Sequence, residues 1–417
     1  MLEKNQKVVL LAARDVTAAR TGRIAVLETA VKALQDTGYP VEVIAITNSE
    51  GAATWLGCPV HRIRTPSIVS MPFSAVRSLA SRKTLNEALF DSQQVRNSVK
   101  AICDQIGATV VIGDNIRTWD AAQATGLPVV MHLDDLLSDR YASTEFKESN
   151  DSVFGYFGEQ IPSFIRPLLE GAVKHLLGVE AKLAYRREIQ IAREAAVTAL
   201  TSEAEADVLA LRAHAPVVGL PMAVPQNVKC TPSNNTAEKL VFLGVMHYGP
   251  NMGALRYLRD EVLPILENHG RKVEVTVVGK VDAEQMAEFE GTPITFKGYV
   301  EDLHAELSSH RVFVSPIQSG TGVKTKVLDA LSVGLPVVAT PLGVAGIPSS
   351  HGDEYLVGHD AVEFAHHIEY LMDNPHRADA IGSAGYELLG RSMNPQKVYD
   401  DWESAIIRAT EGNVANA

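Results

Sequence analysis

Short apolar runs alternate with helical stretches along nearly the whole chain. Each run is too brief for a helix and is bounded by glycine, proline or polar residues. Residues 8–12 (VVLLA), 41–46 (VEVIAI), 109–113 (TVVIG) and 128–133 (PVVMHL) read as buried strands in the first half. A helix is expected over 24–37, where Leu27, Val31 and Leu34 share a face and Gly38 closes the turn. A long amphipathic helix is expected over about 172–195, ending near 197–200. Near-continuous apolar strands of this kind need both faces covered by helices. The pattern therefore predicts an α/β chain with parallel sheets.

The pattern breaks once. Residues 220–238 are rich in proline, asparagine, serine and threonine and carry no apolar period, which marks a linker. The alternation then restarts, with strands at 240–244, 273–278, 294–298 and 312–315 and helices at 251–268 and 303–308. The expected organisation is a Rossmann-like domain over 1–222, a linker at 223–238, a second Rossmann-like domain over 239–395 and a C-terminal helix with its tail over 396–417. That last helix spans about 396–409 and is followed by EGNVANA, which reads as unstructured.

The most chemical stretch is 315–343, SPIQSGTGVKTKVLDALSVGLPVVATPLG: a glycine-rich loop, a short helix, a Gly-Leu-Pro stop and a buried strand. Free N–H groups and the dipole at such a helix start favour an anion. Gly320 and Gly322 let backbone approach a ligand closely. If the helix already includes Gly322, then at about 100° per residue Gly322, Lys326 and Asp329 fall on one stripe, with Val323, Val327, Ala330 and Leu331 facing the core. An ordinary surface helix with a Lys–Asp pair explains this local pattern equally well.

The totals exclude other classes. The chain has 417 residues, 46% apolar and 21% charged, a composition that supports two ordinary soluble domains. A net charge of -12 argues against a nucleic-acid partner, which would meet a basic surface. Cys58, Cys103 and Cys230 lie far apart with no metal-ligand spacing, so a reducing compartment and no metal are expected. The first residues run straight into a strand without a signal peptide's apolar stretch, and no apolar run approaches the ~20 residues of a spanning helix.

In order and spacing, FLGVMHYGPNMGALRYL, VTVVGK, ITFKGYVEDL and SPIQSGTGVKTKVLDALSVGLPVVATPLGVAGI resemble the donor domain of GT-B glycosyltransferases. The match is to the retaining group called family 4 or group 1. It is specific over about 240–373 and weaker over the first half. The resemblance implies two Rossmann-like domains with sheets facing across a cleft, a nucleotide-diphosphate sugar as co-substrate on the second domain, no cofactor and no metal. It also implies a final helix that crosses back to the first domain.

The resemblance carries over unevenly. Asp329 stands where the second glutamate of the family's Glu-x7-Glu pattern grips the ribose, one methylene shorter. Thr321 stands where the first would be, between Gly320 and Gly322, as in branches of the family with a Gly-x-Gly loop. The Arg and Lys that hold the diphosphate in many members are absent after the 240–244 strand. Gly244 is followed there by Val245, Met246, His247, Tyr248, Gly249, Pro250 and Asn251. Lys326 and the N–H groups of Gly322, Val323 and Lys324 are the expected replacement, with Lys324 the lesser helper. His247 and Asn251 border the donor, although Asn251 is also a good helix cap. Gly298, Tyr299 and Val300 fall where family members contact the base. Gly22 corresponds to a loop glycine that admits phosphate or acceptor, or simply turns the chain into the helix.

His132 resembles the family's strand-end histidine near the donor sugar, and with Lys326 it is the expected catalytic pair. Asp134 and Asp135 orient it, cap the next helix or touch the acceptor. The implied reaction moves a sugar from the nucleotide-diphosphate donor to an acceptor hydroxyl or amine with retention. The acceptor is a saccharide, a lipid-linked glycan or a small natural product, and the sugar a hexose or N-acetylhexosamine. An inverting transferase, a nucleotide-sugar epimerase and a non-catalytic nucleotide-sugar binder stay open as alternatives. Residues 67–83 and 152–169 are an acceptor wall, a lid or a subunit contact, with a weak membrane contact as the rival reading. The expected location is cytoplasmic, with attachment to the inner membrane face open.

Overall fold

The computed structural model describes residues 6–18, 22–66, 83–142, 166–229, 238–320, 322–347 and 353–414. Thr321, Cys230, residues 67–82 and residues 152–165 lie outside them, so the expectations placed there are not addressed. The chain forms two compact units. The described residues up to Ala223 and from Pro395 onward make unit 1, and Val224–Asn394 falls in unit 2.

Unit 1 is built on an eight-stranded sheet: β1 (Val8–Ala12), β2 (Val41–Ile46), β3 (Thr54–Trp55), β4 (Cys58–Ile63), β5 (Val110–Asp114), β6 (Val129–His132), β7 (Val197–Leu200) and β8 (Val218–Gly219). The order is β3-β4-β2-β1-β5-β6-β7-β8, parallel except for the short β3–β4 hairpin. Successive β1 side chains feed opposite faces. Val8, Leu10 and Ala12 pack in one core with Leu27, Val31 and Leu34 of helix α1 (Gly22–Asp36). Val9 and Leu11 pack in the other with Val95, Val99 and Cys103 of α2 (Gln93–Ile106). Both faces are thus covered, as a parallel sheet requires. The long helix α3 (Arg166–Glu194) and α4 (Glu203–Ala213) complete the second face, through Ala184 and Ile191, and Ala206 and Leu209.

The C-terminal helix belongs to unit 1. It runs Pro395–Val414 and buries Val398, Trp402, Ile406 and Ala409 against the α1 side of the sheet. It extends about five residues past the expected end, so Glu411 to Val414 of the tail are helical. Residues 197–200, expected at the end of a helix, are strand β7, because α3 stops at Glu194 and the apolar run pairs with β6.

Unit 2 has six parallel strands: β9 (Lys239–Leu243), β10 (Glu274–Val278), β11 (Ile294–Gly298), β12 (Val312–Ser315), β13 (Val337–Ala339) and β14 (Leu356–Val357). Their order is β11-β10-β9-β12-β13-β14, the 3-2-1-4-5-6 arrangement of a doubly wound nucleotide-binding sheet. A helix follows each of the two central strands. α5 (Gly249–Tyr257) starts after β9, with proline in its first turn, and continues through a π-helical turn into Leu263–Asn268. α6 (Thr325–Ser332) comes after β12. Among the described residues no helix is long and apolar enough to cross a membrane.

Candidate donor and strand-end sites

Strand order reverses between β9 and β12, and the crevice beyond their carboxyl ends is where an open parallel sheet takes its ligand. The chain brings Gly244, Asn251 and Lys326 together there. Lys326 Nζ donates to Asn251 Oδ1 at 2.5 Å and lies 4.5 Å from the centre of the Phe242 ring. Asn251 is buried, and its amide donates to the Val245 carbonyl at 2.8 Å, which aims its oxygen at the lysine. Asn251 is not the helix cap, since Tyr248 precedes the first helical residue, Gly249. A Cβ on Gly244 would lie 2.6 Å from the Asn251 amide nitrogen and 3.1 Å from Lys326 Nζ, so a side chain there would push these groups aside.

Lys326 has no carboxylate partner among the described residues. Burial, and secondarily Lys324, push its ammonium down to about 7. Its contacts are an amide oxygen and an aromatic face, neither of which carries a full negative charge. Asp329 lies one turn on along α6, on the same side of the helix as Lys326.

The expected helical stripe is corrected at its start. α6 begins at Thr325, so Gly322 and Val323 belong to the loop, and Gly322 (φ 74°) takes a conformation that glycine adopts without strain. Lys324 folds back and donates to the Gly322 carbonyl at 2.6 Å. Gly320 sits against the Tyr248 hydroxyl. His247 is exposed and pairs with Asp282 at 2.6 Å. Gly298 (φ 73°) ends β11, Tyr299 is 85% exposed beside it, and Val300 is half-buried.

Gly279 is a hidden requirement of this site. Its φ is 136°, and a Cβ there would stand 2.0 Å from the Gly244 carbonyl oxygen. Gly279→Ala is expected to cost about 3 kcal/mol, through backbone strain and forced separation of β9 from β10, read as a lower urea midpoint.

In unit 1 a buried ionic network occupies the ends of β1, β5 and β6. Asp114 accepts from Arg14 Nε at 2.9 Å and from Arg23 Nε at 2.7 Å. Arg23 also reaches His132 Nδ1 at 2.8 Å, the His132 carbonyl at 2.9 Å and Asp134 at 3.3 Å. Burial would raise the Asp114 carboxyl, but Arg14 and Arg23 outweigh it and hold the group well below the usual carboxylate range. Gly22, the first residue of α1, is half-buried next to Arg23.

His132 is fully buried and stacked on Trp402, with ring centroids 5.6 Å apart. Arg23 and the Asp134 N–H both donate to Nδ1, so Nε2 carries the proton and donates to the Leu220 carbonyl at 3.1 Å. Burial and Arg23 push the ring down to about 4, so it is neutral at physiological pH. With both nitrogens engaged inside the unit, the ring has none left for a sugar hydroxyl. His132, expected near the donor sugar, is thus found buried as an anchor within unit 1. Asp134 (φ 76°) and Asp135 are likewise tied to arginines, Asp134 to Arg23 and Asp135 to Arg140 at 2.8 Å.

Arg14, Arg23 and Asp114 escape the sequence reading. The one available signal is an aspartate ending the apolar run VVIGD, since a buried carboxylate needs a cation. Phe242, the aromatic floor under Lys326, reads in sequence as an ordinary core residue.

Residues 237–374 match the family model described as "Glycosyl transferases group 1". The fold is that of GT-B glycosyltransferases. Sucrose-phosphate synthase from Thermosynechococcus elongatus superposes with a TM-score of 0.65 at 16% identity, over 98% of this chain and 100% of that one. HepE of Anabaena in complex with UDP and glucose superposes with a TM-score of 0.61 at 13% identity, over 95% of this chain and 98% of that one. An uncharacterised 44.6 kDa protein in the cps region of Klebsiella pneumoniae is 24% identical over 169 residues. That stretch is 38% of this chain and 44% of the relative's length.

Proposed function

We propose that this protein is a glycosyltransferase that takes a sugar from a nucleotide-diphosphate donor held by unit 2 and passes it, with retention, to an acceptor hydroxyl or amine. The observation that carries the reading is the Lys326 ammonium. It stands without an ion pair among the described residues, at the strand-order reversal, in the first turn of α6 and close to Gly244. The group 1 match over the same residues and the UDP bound by HepE support a uridine diphosphate sugar as the first donor to test.

In this reading Lys326 and the N–H groups at the start of α6 neutralise the diphosphate. They act most strongly as the bond from the anomeric carbon to the diphosphate oxygen breaks and charge builds on the leaving group. Asp329 holds the ribose hydroxyls and the 298–300 turn borders the base. The acceptor oxygen or nitrogen forms the new bond on the face the diphosphate leaves, and its proton goes to a diphosphate oxygen. No metal is required, because the lysine and the helix dipole supply the positive charge. His132 is a positioning residue that fixes Arg23 and the Asp134 turn.

A thermal-shift screen of nucleotide-sugars tests the reading, since a ligand that binds only the folded state raises the melting temperature. At least one donor is expected to raise it by several degrees. Sugar transfer from that donor, followed by NMR of the product's anomeric proton, reports retention. A complete screen without a shift sinks the proposal.

A further inference from the structure

Unit 1 has its own strand-order reversal, between β1 and β5, and the described residues there are rich in arginine. Arg14 lies two residues beyond β1 and Arg117 three residues beyond β5. Their partners differ. Arg14 is bonded to Asp114. Arg117 donates through Nε to Asn86 Oδ1 at 2.7 Å and lies 5.1 Å from the Phe90 ring centre, with no ion pair among the described residues. Asp114, the nearby carboxylate, is already bonded to both Arg14 and Arg23.

The guanidinium of Arg117 is also held in place. Asn86 donates its own N–H to the Tyr141 hydroxyl at 3.0 Å, which turns its oxygen toward Arg117 Nε. The Asn115 side chain accepts from the Arg117 backbone N–H at 3.2 Å, in a turn where Asn115 has φ 69°. A non-glycine residue kept in that region marks a turn over-determined by its surroundings. Burial, and next the charge of Arg14, lower Arg117 to about 10, with Tyr141 and Asp114 acting the other way, so it is charged at neutral pH. A planar guanidinium fork without an ion pair, fixed at a ligand crevice, suits an oxyanion.

We infer that Arg14 and Arg117 form an oxyanion subsite at the strand-order reversal of unit 1, which takes a carboxylate or phosphate carried by the acceptor. The assignment to an acceptor rests on the glycosyltransferase reading; the anion site itself does not.

The test uses the full-length protein and three probes: inorganic phosphate, D-glucuronate and neutral D-glucose, each titrated while the melting temperature is followed. At least one anion is expected to raise it saturably, and glucose is not. The anion with the lower midpoint tells phosphate from carboxylate. Arg117→Gln is expected to move that midpoint upward about 10-fold or more, whereas Lys326→Met leaves it unchanged. Arg14→Gln, at a partly exposed position, is expected to act in the same direction and serves if Arg117→Gln does not fold. The inference is overturned by an absent shift, by an unchanged midpoint in the folded arginine variants, or by loss of the effect in Lys326→Met instead. UDP-glucose is titrated separately. If no nucleotide-sugar binds while the arginine-dependent anion effect persists, the donor reading fails and the subsite stands.

Discussion

Replacing Lys326 with methionine is expected to weaken nucleotide-sugar binding by about 100-fold while raising the melting temperature of the free protein at or below neutral pH. The first effect comes from removing the cation proposed to face the diphosphate, since truncating one partner of a desolvated charge pair costs about 2–5 kcal/mol. The second comes from the same geometry. Folding places this ammonium against Phe242 and Asn251 without a carboxylate and lowers it to about 7. The unfolded chain, with lysine near its ordinary value, therefore binds more protons between about pH 7 and pH 10.5. Stability from this group rises with pH across that window, and below it the folded protein carries the full burden of a poorly solvated charge. Methionine has similar length without the charge, so the variant is expected to lose function and gain stability together. Calorimetric titration of the donor and melting curves at pH 6 and pH 9 check both halves. The stability gain is expected to be larger at pH 6.

Arg23→Leu is expected to destabilise the protein by about 3–5 kcal/mol, among the largest effects of any single replacement. One side chain holds Asp114, His132 and Asp134 together in the interior of unit 1. Without it Asp114 keeps only Arg14, and the His132 ring loses a donor to Nδ1. Arg23→Lys is expected to recover a minor part, because an ammonium cannot span the carboxylate and the imidazole at once. Urea unfolding of the three proteins at pH 7 checks the order. If Arg23→Leu unfolds at the wild-type urea concentration, the network does not hold the strand ends.

The fold was largely legible because buried parallel strands leave uninterrupted apolar runs, as in Val8–Ala12 and Val312–Ser315. Strand Cys58–Ile63 was not, because Pro59, His61 and Arg62 interrupt the run on a strand that is only half-buried. Val197–Leu200 was absorbed into the preceding helix, since four apolar residues fit either period and only pairing with β6 decides between them. The grouping of Gly244, Asn251 and Lys326 was legible for a similar reason: they lie in segments whose order is itself a pattern. The Arg23 hub was not, because its partner Asp114 is 91 residues away and no local spacing encodes the pairing. His132 shows the limit most clearly, for a histidine at a strand end reads the same whether its ring emerges or, as here, turns inward onto Trp402.

In the proposed donor site Lys326 rests largely uncharged at slightly alkaline pH until a diphosphate binds. Titrating UDP, GDP, ADP and dTDP into the protein at pH 8, in two buffers of different ionisation enthalpy, measures the protons taken up on binding. With the free lysine at about 7 and its value raised by the bound anion, one of these nucleotides is predicted to bind with uptake of close to one proton, ~0.9. Both the uptake and the affinity are predicted to vanish in Lys326→Met. Binding of no nucleotide, or binding without proton uptake that Lys326→Met leaves intact, would contradict the account.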